Sequence, residues 1–288
     1  NQWHAHSYYT HLFRNSKKVE LNGRYTHHAI YDETIKFIKD NKDEPFFLYC
    51  PWTPPHAAYQ IPKDEPAWQT YKDKPWGKDA KVAAAMDTMM DRQVGEITAL
   101  LKKLGIYENT LMFFTSDNGA AKRFDGVHNS CGVMQGHKRS LHEGGIRVPM
   151  VVRWPGKIKP GSVSDHPWYF PDVMPTLAEI AGVSGEVPKD IDGISVLPTL
   201  LEKGNQKKHE YMFWQFGVRA VRSGKWKGIG KGGHLYLYDL TKDMAEKNDL
   251  SAKYPEIAAR LKQYITDGYR EPRSQKDDGK YTGKGKKK

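Results

Sequence analysis

Two cysteines in 288 residues exclude a disulfide framework and a multi-cysteine zinc site. Long apolar runs are missing too. Runs such as residues 111–114 fall far short of the roughly 20 residues that a membrane-spanning helix needs. No internal repeat is present, and no RNP, helix-turn-helix or zinc-finger pattern, which disfavours nucleic acid as a partner. The chain opens on Asn1 rather than Met, and its first 16 residues are polar and His-rich, so no signal peptide is visible. The expectation is a chain cleaved from, or forming part of, something longer.

What is present is a foldable composition. Hydrophobic residues make up 38% and aromatics 12%, which suits a packed chain rather than a disordered one. Lysine and arginine number 45 against 34 acids, a formal charge of +11. Residues 271–288 hold seven basic and three acidic side chains, and the expectation there is a solvated, disordered Lys-rich tail. An electrostatic anchor for an anionic polymer is the sharper alternative.

Periodicity divides the rest. Residues 29–39 and 80–104 have apolar side chains at helical spacing, the second through Met86, Met90, Val94, Ile97, Leu101 and Leu104. Gly105 suits a helix end. Residues 46–50, 111–116 and 148–153 are short apolar runs that predict buried strands, and 172–181 predicts a helix. Residues 51–78 read as a long ordered loop, and 119–147 as irregular. This alternation predicts an α/β domain with a mainly parallel sheet over residues 1–205. From 206 to 270 the chain has four short aromatic segments with glycine turns and then a helix at 254–266. That pattern predicts a small antiparallel subdomain.

Three segments suggest chemistry. In Thr115-Ser116-Asp117-Asn118-Gly119 an apolar strand runs into a carboxylate and an amide, hard oxygen donors for Ca²⁺ or Mg²⁺. The same residues make a good turn anywhere. Pro54-Pro55-His56 sets an imidazole in a stiff loop, suited to donating a proton or binding an anion, or simply a surface histidine among 12. The stretch from Gly136 through His137-Lys138-Arg139 to Pro149 is a basic, glycine-rich loop that leads into an apolar run. It suits a tetrahedral oxyanion held by Lys138, or a merely solvated loop. Together these offer a cation site, a histidine and a lysine, the set for a metal-bound sulfate or phosphate ester.

The sequence resembles the formylglycine-dependent sulfatases (arylsulfatase-like) of the alkaline-phosphatase-like superfamily over nearly its whole length. The carrying residues are Pro45-Phe46-Phe47-Leu48-Tyr49, Pro54-Pro55-His56, Asn109-Thr110 through Phe114 to Gly119, Lys138 through Pro149, and Trp154-Pro155-Gly156. Late in the chain Leu237-Tyr238-Asp239-Leu240, Glu246 and Asn248-Asp249-Leu250 join them; His4 through Tyr9 also resembles a segment of bacterial members. The resemblance implies an α/β/α sandwich, part of it present here, with the small C-terminal sheet and helix. It implies Asp117 and Asn118 as ligands of one Ca²⁺, Lys138 on the sulfate oxygens and His56 as proton donor. The implied substrate is a sulfated small molecule or sulfated carbohydrate, and the implied location periplasmic or secreted. The family's nucleophile, a Cys or Ser in Cys/Ser-x-Pro-x-Arg that becomes formylglycine, is nowhere in the 288 residues: neither Cys50 nor Cys131 fits. The expectation is an N-terminally truncated sulfatase that is inactive and poorly stable alone. A phosphodiesterase or phosphonate hydrolase of the same superfamily, and a non-catalytic binder of anionic glycans, are the alternatives.

Overall fold

A computed structural model describes residues 7–271. It divides between Leu111 and Met112 into two compact units. The Lys-rich tail beyond residue 271, and His4 to His6, lie outside the described residues.

The first unit opens with a hairpin that sequence periodicity did not flag. Strand β1 (His11–Arg14) pairs antiparallel with β2 (Lys17–Glu20), and Arg14 faces Lys17 across a two-residue turn. Asn15 holds the turn at φ +53°, a value that asparagine tolerates better than most residues. Helix α1 (Thr26–Asp40) starts three residues before its apolar spacing does, because Thr26 and His27 are already buried. Within the stretch expected to be loop lies a short helix, α2 (Pro66–Tyr71). Proline stands at its first turn and the Glu65 carboxylate accepts from the Ala67 amide. Helix α3 (Lys78–Lys103) follows the predicted spacing: Met86, Met89, Met90 and Leu101 are buried along one stripe. Gly105, at φ +73°, carries the chain away. Tyr25, Ala67, Ala85 and Met89 form the core here, with Ile61, Trp68 and Tyr71 against it.

Residues 46–50 are not a strand. Phe46, Leu48 and Cys50 are partly buried while Phe47 and Tyr49 are exposed, which is the period-two pattern of a strand. Phe46 packs edge-on against Phe37 of α1, and Cys50 approaches the Thr34 hydroxyl at 3.6 Å. Yet the segment joins no ladder among the described residues, and a strand is defined by its ladder.

The second unit holds strand β3 (Met112–Thr115), a one-turn helix α4 (Glu143–Ile146), strand β4 (Met150–Arg153), helix α5 (Val173–Ile180) and the short α6 (Leu197–Leu201). Strands β3 and β4 pair antiparallel, Met112 with Arg153 through Thr115 with Met150. The expected parallel pairing is therefore not among the ladders of the described residues, every one of which is antiparallel.

The C-terminal sheet is as predicted: β5 (Met212–Phe216), β6 (Val218–Ser223), β7 (Trp226–Lys231) and β8 (His234–Asp239) form a meander, followed by helix α7 (Pro255–Asp267). Alternation splits its side chains between two faces. Val221, Leu235 and Leu237 bury against Leu261 of α7. Ala220, Ile229 and Tyr238 face the other way and meet Leu141 and Ile146, which flank the glycine pair of the basic loop. Gly228 lies close under α7: a Cβ there would stand 3.1 Å from the Leu261 side chain. The sheet is thus the floor on which the basic loop rests.

Candidate active site

Strand β3 ends at Thr115, whose hydroxyl donates to the Pro149 carbonyl at 2.9 Å and ties the strand's exit to the entry of β4. The next residues turn sharply, and the Ser116 hydroxyl donates to the Asn118 carbonyl at 3.0 Å. Asp117 is exposed and Asn118 half-buried, so the carboxylate is open to solvent at the strand's end.

Gly119 is where this turn meets the basic loop. Its amide donates to the Gly145 carbonyl at 3.0 Å, and a Cβ on it would fall 2.0 Å from the Gly144 carbonyl oxygen. Only glycine permits that approach. One residue on, the Ala120 carbonyl accepts from the Lys138 amide at 2.8 Å. The loop closes on itself as well: Gly144 donates to the Gln135 carbonyl at 2.8 Å and Ser140 to the His137 carbonyl at 2.8 Å. Gly136 sits at φ +82° and Arg139 at φ +76°, so the backbone turns tightly on both sides of Lys138. Lys138 itself is half-buried and Arg139 is exposed.

The turn carrying Asp117 and Asn118 and the loop carrying Lys138 are therefore one backbone-bonded construction. Three of the four residues singled out in the sequence belong to it. The fourth, His56, belongs to the first unit. It is exposed, and its Nδ1 stands 2.6 Å from the Ala57 carbonyl oxygen. A carbonyl only accepts, so Nδ1 carries the proton. A proton given by Nε2 therefore comes from an imidazolium and leaves a neutral imidazole behind.

As a cation site the donor set is partial. Asp117 and Asn118 supply hard oxygens that fit Ca²⁺, which takes six to eight. Among the described residues no group of three or more His, Cys, Asp or Glu side chains gathers to complete a shell.

Sequence reasoning gave no role to the residues beneath the loop, although Glu143 and Glu246 lie in segments that carry the resemblance. Lys227 on β7 is fully buried, with Nζ 2.8 Å from Glu143 Oε1 and 3.0 Å from Glu246 Oε1. Glu246 Oε2 accepts from the Glu143 amide at 2.6 Å, and His142 Nδ1 lies 3.4 Å from it. Burial pushes the Glu246 carboxyl up, but His142, Lys227 and the Glu143 amide outweigh it and hold the group below the ordinary carboxylate range. The available signal was a lysine two residues from Ile229 within a strand, hence on the same inward face as that isoleucine.

Comparison with known proteins bears on the family and the fold. A sulfatase family model matches residues 1–183, and a model of the C-terminal part of N-sulphoglucosamine sulphohydrolase matches residues 135–271. The chain is 35% identical over 210 residues to the uncharacterized sulfatase YdeN of Escherichia coli, covering 70% of this chain and 36% of that protein. It is 30% identical over 266 residues to an N-acetylgalactosamine-6-O-sulfatase of Bacteroides thetaiotaomicron, covering 82% and 49%. The crystal structure of Ps i-CgsB in complex with k-i-k-neocarrahexaose superposes with a TM-score of 0.78 at 29% identity, over 90% of this chain and 58% of that one. The chain thus spans between about a third and a half of the curated relatives it matches. With its α/β and C-terminal antiparallel elements in the alkaline-phosphatase-like arrangement of these neighbours, the chain belongs to the sulfatase family.

Proposed function

We propose that these residues form the cation- and anion-holding part of a sulfuric ester hydrolase, with a sulfated small molecule or sulfated carbohydrate as substrate. One observation carries the reading: the hard oxygens of Asp117 and Asn118 and the cationic loop of Lys138 are joined by the Gly119–Gly145 and Lys138–Ala120 backbone hydrogen bonds. A sulfate ester needs both. Its oxygens are negative, and charge grows on the bridging oxygen as the S–O bond breaks. Lys138 supplies a point charge to the non-bridging oxygens. The Asp117 carboxylate and Asn118 amide oxygen are the residues here that would hold Ca²⁺. When bound, that ion would neutralise the sulfate group and orient it. His56, with Nδ1 pinned to a carbonyl, gives a proton to the departing oxygen only from its doubly protonated form.

The nucleophile, formylglycine in this reading, has no place in these 288 residues, which lack Cys/Ser-x-Pro-x-Arg. The chain alone is therefore expected to bind rather than to turn over. The carbohydrate side of the substrate class rests on two similar proteins, one named for N-acetylgalactosamine-6-O-sulfate and one seen with k-i-k-neocarrahexaose. The phosphodiesterase alternative has no such support among them.

The test is amide NMR of the 288-residue chain titrated with calcium chloride and with sodium sulfate. Shifts at Gly119, Lys138 and Gly145 are expected, with the calcium response lost in Asp117→Ala and the sulfate response lost in Lys138→Ala. No response at these amides, or one indifferent to both substitutions, overturns the reading. In a polypeptide that also carries the nucleophile motif, Lys138→Ala and His56→Ala should each cut aryl sulfate turnover by about 100-fold or more.

A further inference from the structure

Lys227, Glu143 and Glu246 make a buried group of one cation and two carboxylates, with the more exposed Arg147 3.6 Å from the other Glu143 oxygen, and none of the three is a residue to which the reading above gives the cation or the anion. Buried ion groups are a poor source of stability, because desolvation offsets most of their attraction. What this one does have is position. Lys227 lies on the face of β7 that carries Ile229, toward the basic loop rather than toward α7. Glu143 is the first residue of α4, so fixing its side chain and its amide fixes the start of that turn. Gly144 and Gly145 follow directly: the Gly145 carbonyl accepts from the Gly119 amide, and the Gly144 carbonyl lies against the Gly119 α-carbon. Glu246 is held from behind: with its amide nitrogen turned toward them, Gln135 donates to the carbonyls of Glu246 at 2.7 Å and Ala245 at 3.1 Å. Gln135 in turn accepts from Gly144 through its own carbonyl at 2.8 Å, one residue before the Gly136 turn that leads to Lys138. Two glycines in a row give the loop no side-chain anchor of its own.

We infer that Lys227 is a positioning residue: bridging Glu143 and Glu246, it sets the Gly144–Gly145 backbone against which the Asp117–Asn118 turn and the Lys138 loop are both aligned. This deepens the function proposed above and rests on that reading of the loop. It also explains why a costly ionic group stands where leucines would pack. Ionic contacts fix direction and distance, whereas apolar contacts fix neither closely.

Lys227→Met alone strands two adjacent buried carboxylates and risks unfolding the unit. The decisive variant is therefore the uncharged triple, Lys227→Met with Glu143→Gln and Glu246→Gln. Hydrogen exchange is read at Gly119, Lys138, Gly144 and Gly145, and at Val221, Ile229 and Leu237 in the sheet, beside the sulfate titration. The expected result is exchange at least 10-fold faster at the four loop amides, unchanged exchange in the sheet, and a several-fold weaker sulfate response. Unchanged loop exchange overturns the inference. Equal loss of protection in sheet and loop also overturns it, since the group would then hold the whole unit. A sulfate response missing already in the parent chain, with the loop still loosened selectively in the triple variant, supports the positioning role and refutes only the function assigned to the loop.

Discussion

His27 is one of 12 histidines and has no sequence mark that sets it apart, yet it is fully buried at the start of α1. Its Nε2 donates to the Gln93 amide oxygen at 2.7 Å, and the edge of its ring meets Trp52 at 5.4 Å. Burial drives its pKa down to about 4, with His28 adding to the fall, while the Gln93 hydrogen bond and the Glu65 carboxylate pull the other way. The sign follows. Between pH 6.5 and 4 the unfolded chain takes up a proton that the folded chain refuses, so stability falls as pH drops through this window. Above 6.5 the contribution is complete and flat. The full drop is roughly 3 kcal/mol. A urea midpoint followed from pH 7.5 to 4 should show that slope in the native chain and a shallower one in His27→Gln; parallel curves would put the proton elsewhere. His56 drew attention in the sequence for the opposite reason. It stands in a proline-stiffened loop outside the core, where sequence context says more than packing does.

Glycines show how elements constrain each other. Gly95 is exposed in the middle of α3, has no neighbour within 4 Å of a would-be Cβ, and is helical. Gly95→Ala should raise stability by about 0.5–1 kcal/mol, since alanine has less freedom to lose. Gly119→Ala should do the reverse. Its Cβ would stand 2.0 Å from a backbone oxygen that cannot swing aside, so a loss of about 1–3 kcal/mol is expected, with the sulfate response weakened at Lys138. Paired guanidinium unfolding curves check both, and equal effects would mean that the turn and loop do not meet at Gly119. Helix α3 and the meander β5–β8 were legible because each repeats its period over many residues. Residues 46–50 have a strand's alternation without a ladder, and β3 and β4 have a ladder whose direction no alternation encodes. Local pattern reports which side chains turn inward; it does not report which segment lies alongside. The Lys227 group stayed hidden for the same reason: its members are 84 and 19 residues from Lys227 in sequence, and their meeting is a product of the sheet.

At the scale of the whole molecule the +11 charge invites a binding role that its distribution does not support. Residues 272–288 carry seven basic and two acidic side chains, nearly half of the total. Across the described residues many cations are already opposed: Arg92 by Glu65 and Glu96, Lys225 by Asp239, Lys36 by Asp40, Lys227 by two carboxylates. A field summed over such a surface acts at a distance of about 10 Å and is screened by ordinary salt, whereas a lysine touching a sulfate oxygen acts at contact and is screened much less. The two effects separate by experiment. A chain shortened to residues 1–271 should leave a sulfated-polysaccharide column at clearly lower salt than the full chain. Its amide response to sulfate, measured in 0.15 M salt, should match that of the full chain. Lys138→Ala, which changes the net charge by only one, should do the opposite: nearly the same elution, and no sulfate response. If shortening the chain abolished the sulfate response while Lys138→Ala preserved it, the anion would be held by the basic terminus, and the loop beside Asp117 would lose its claim to the site.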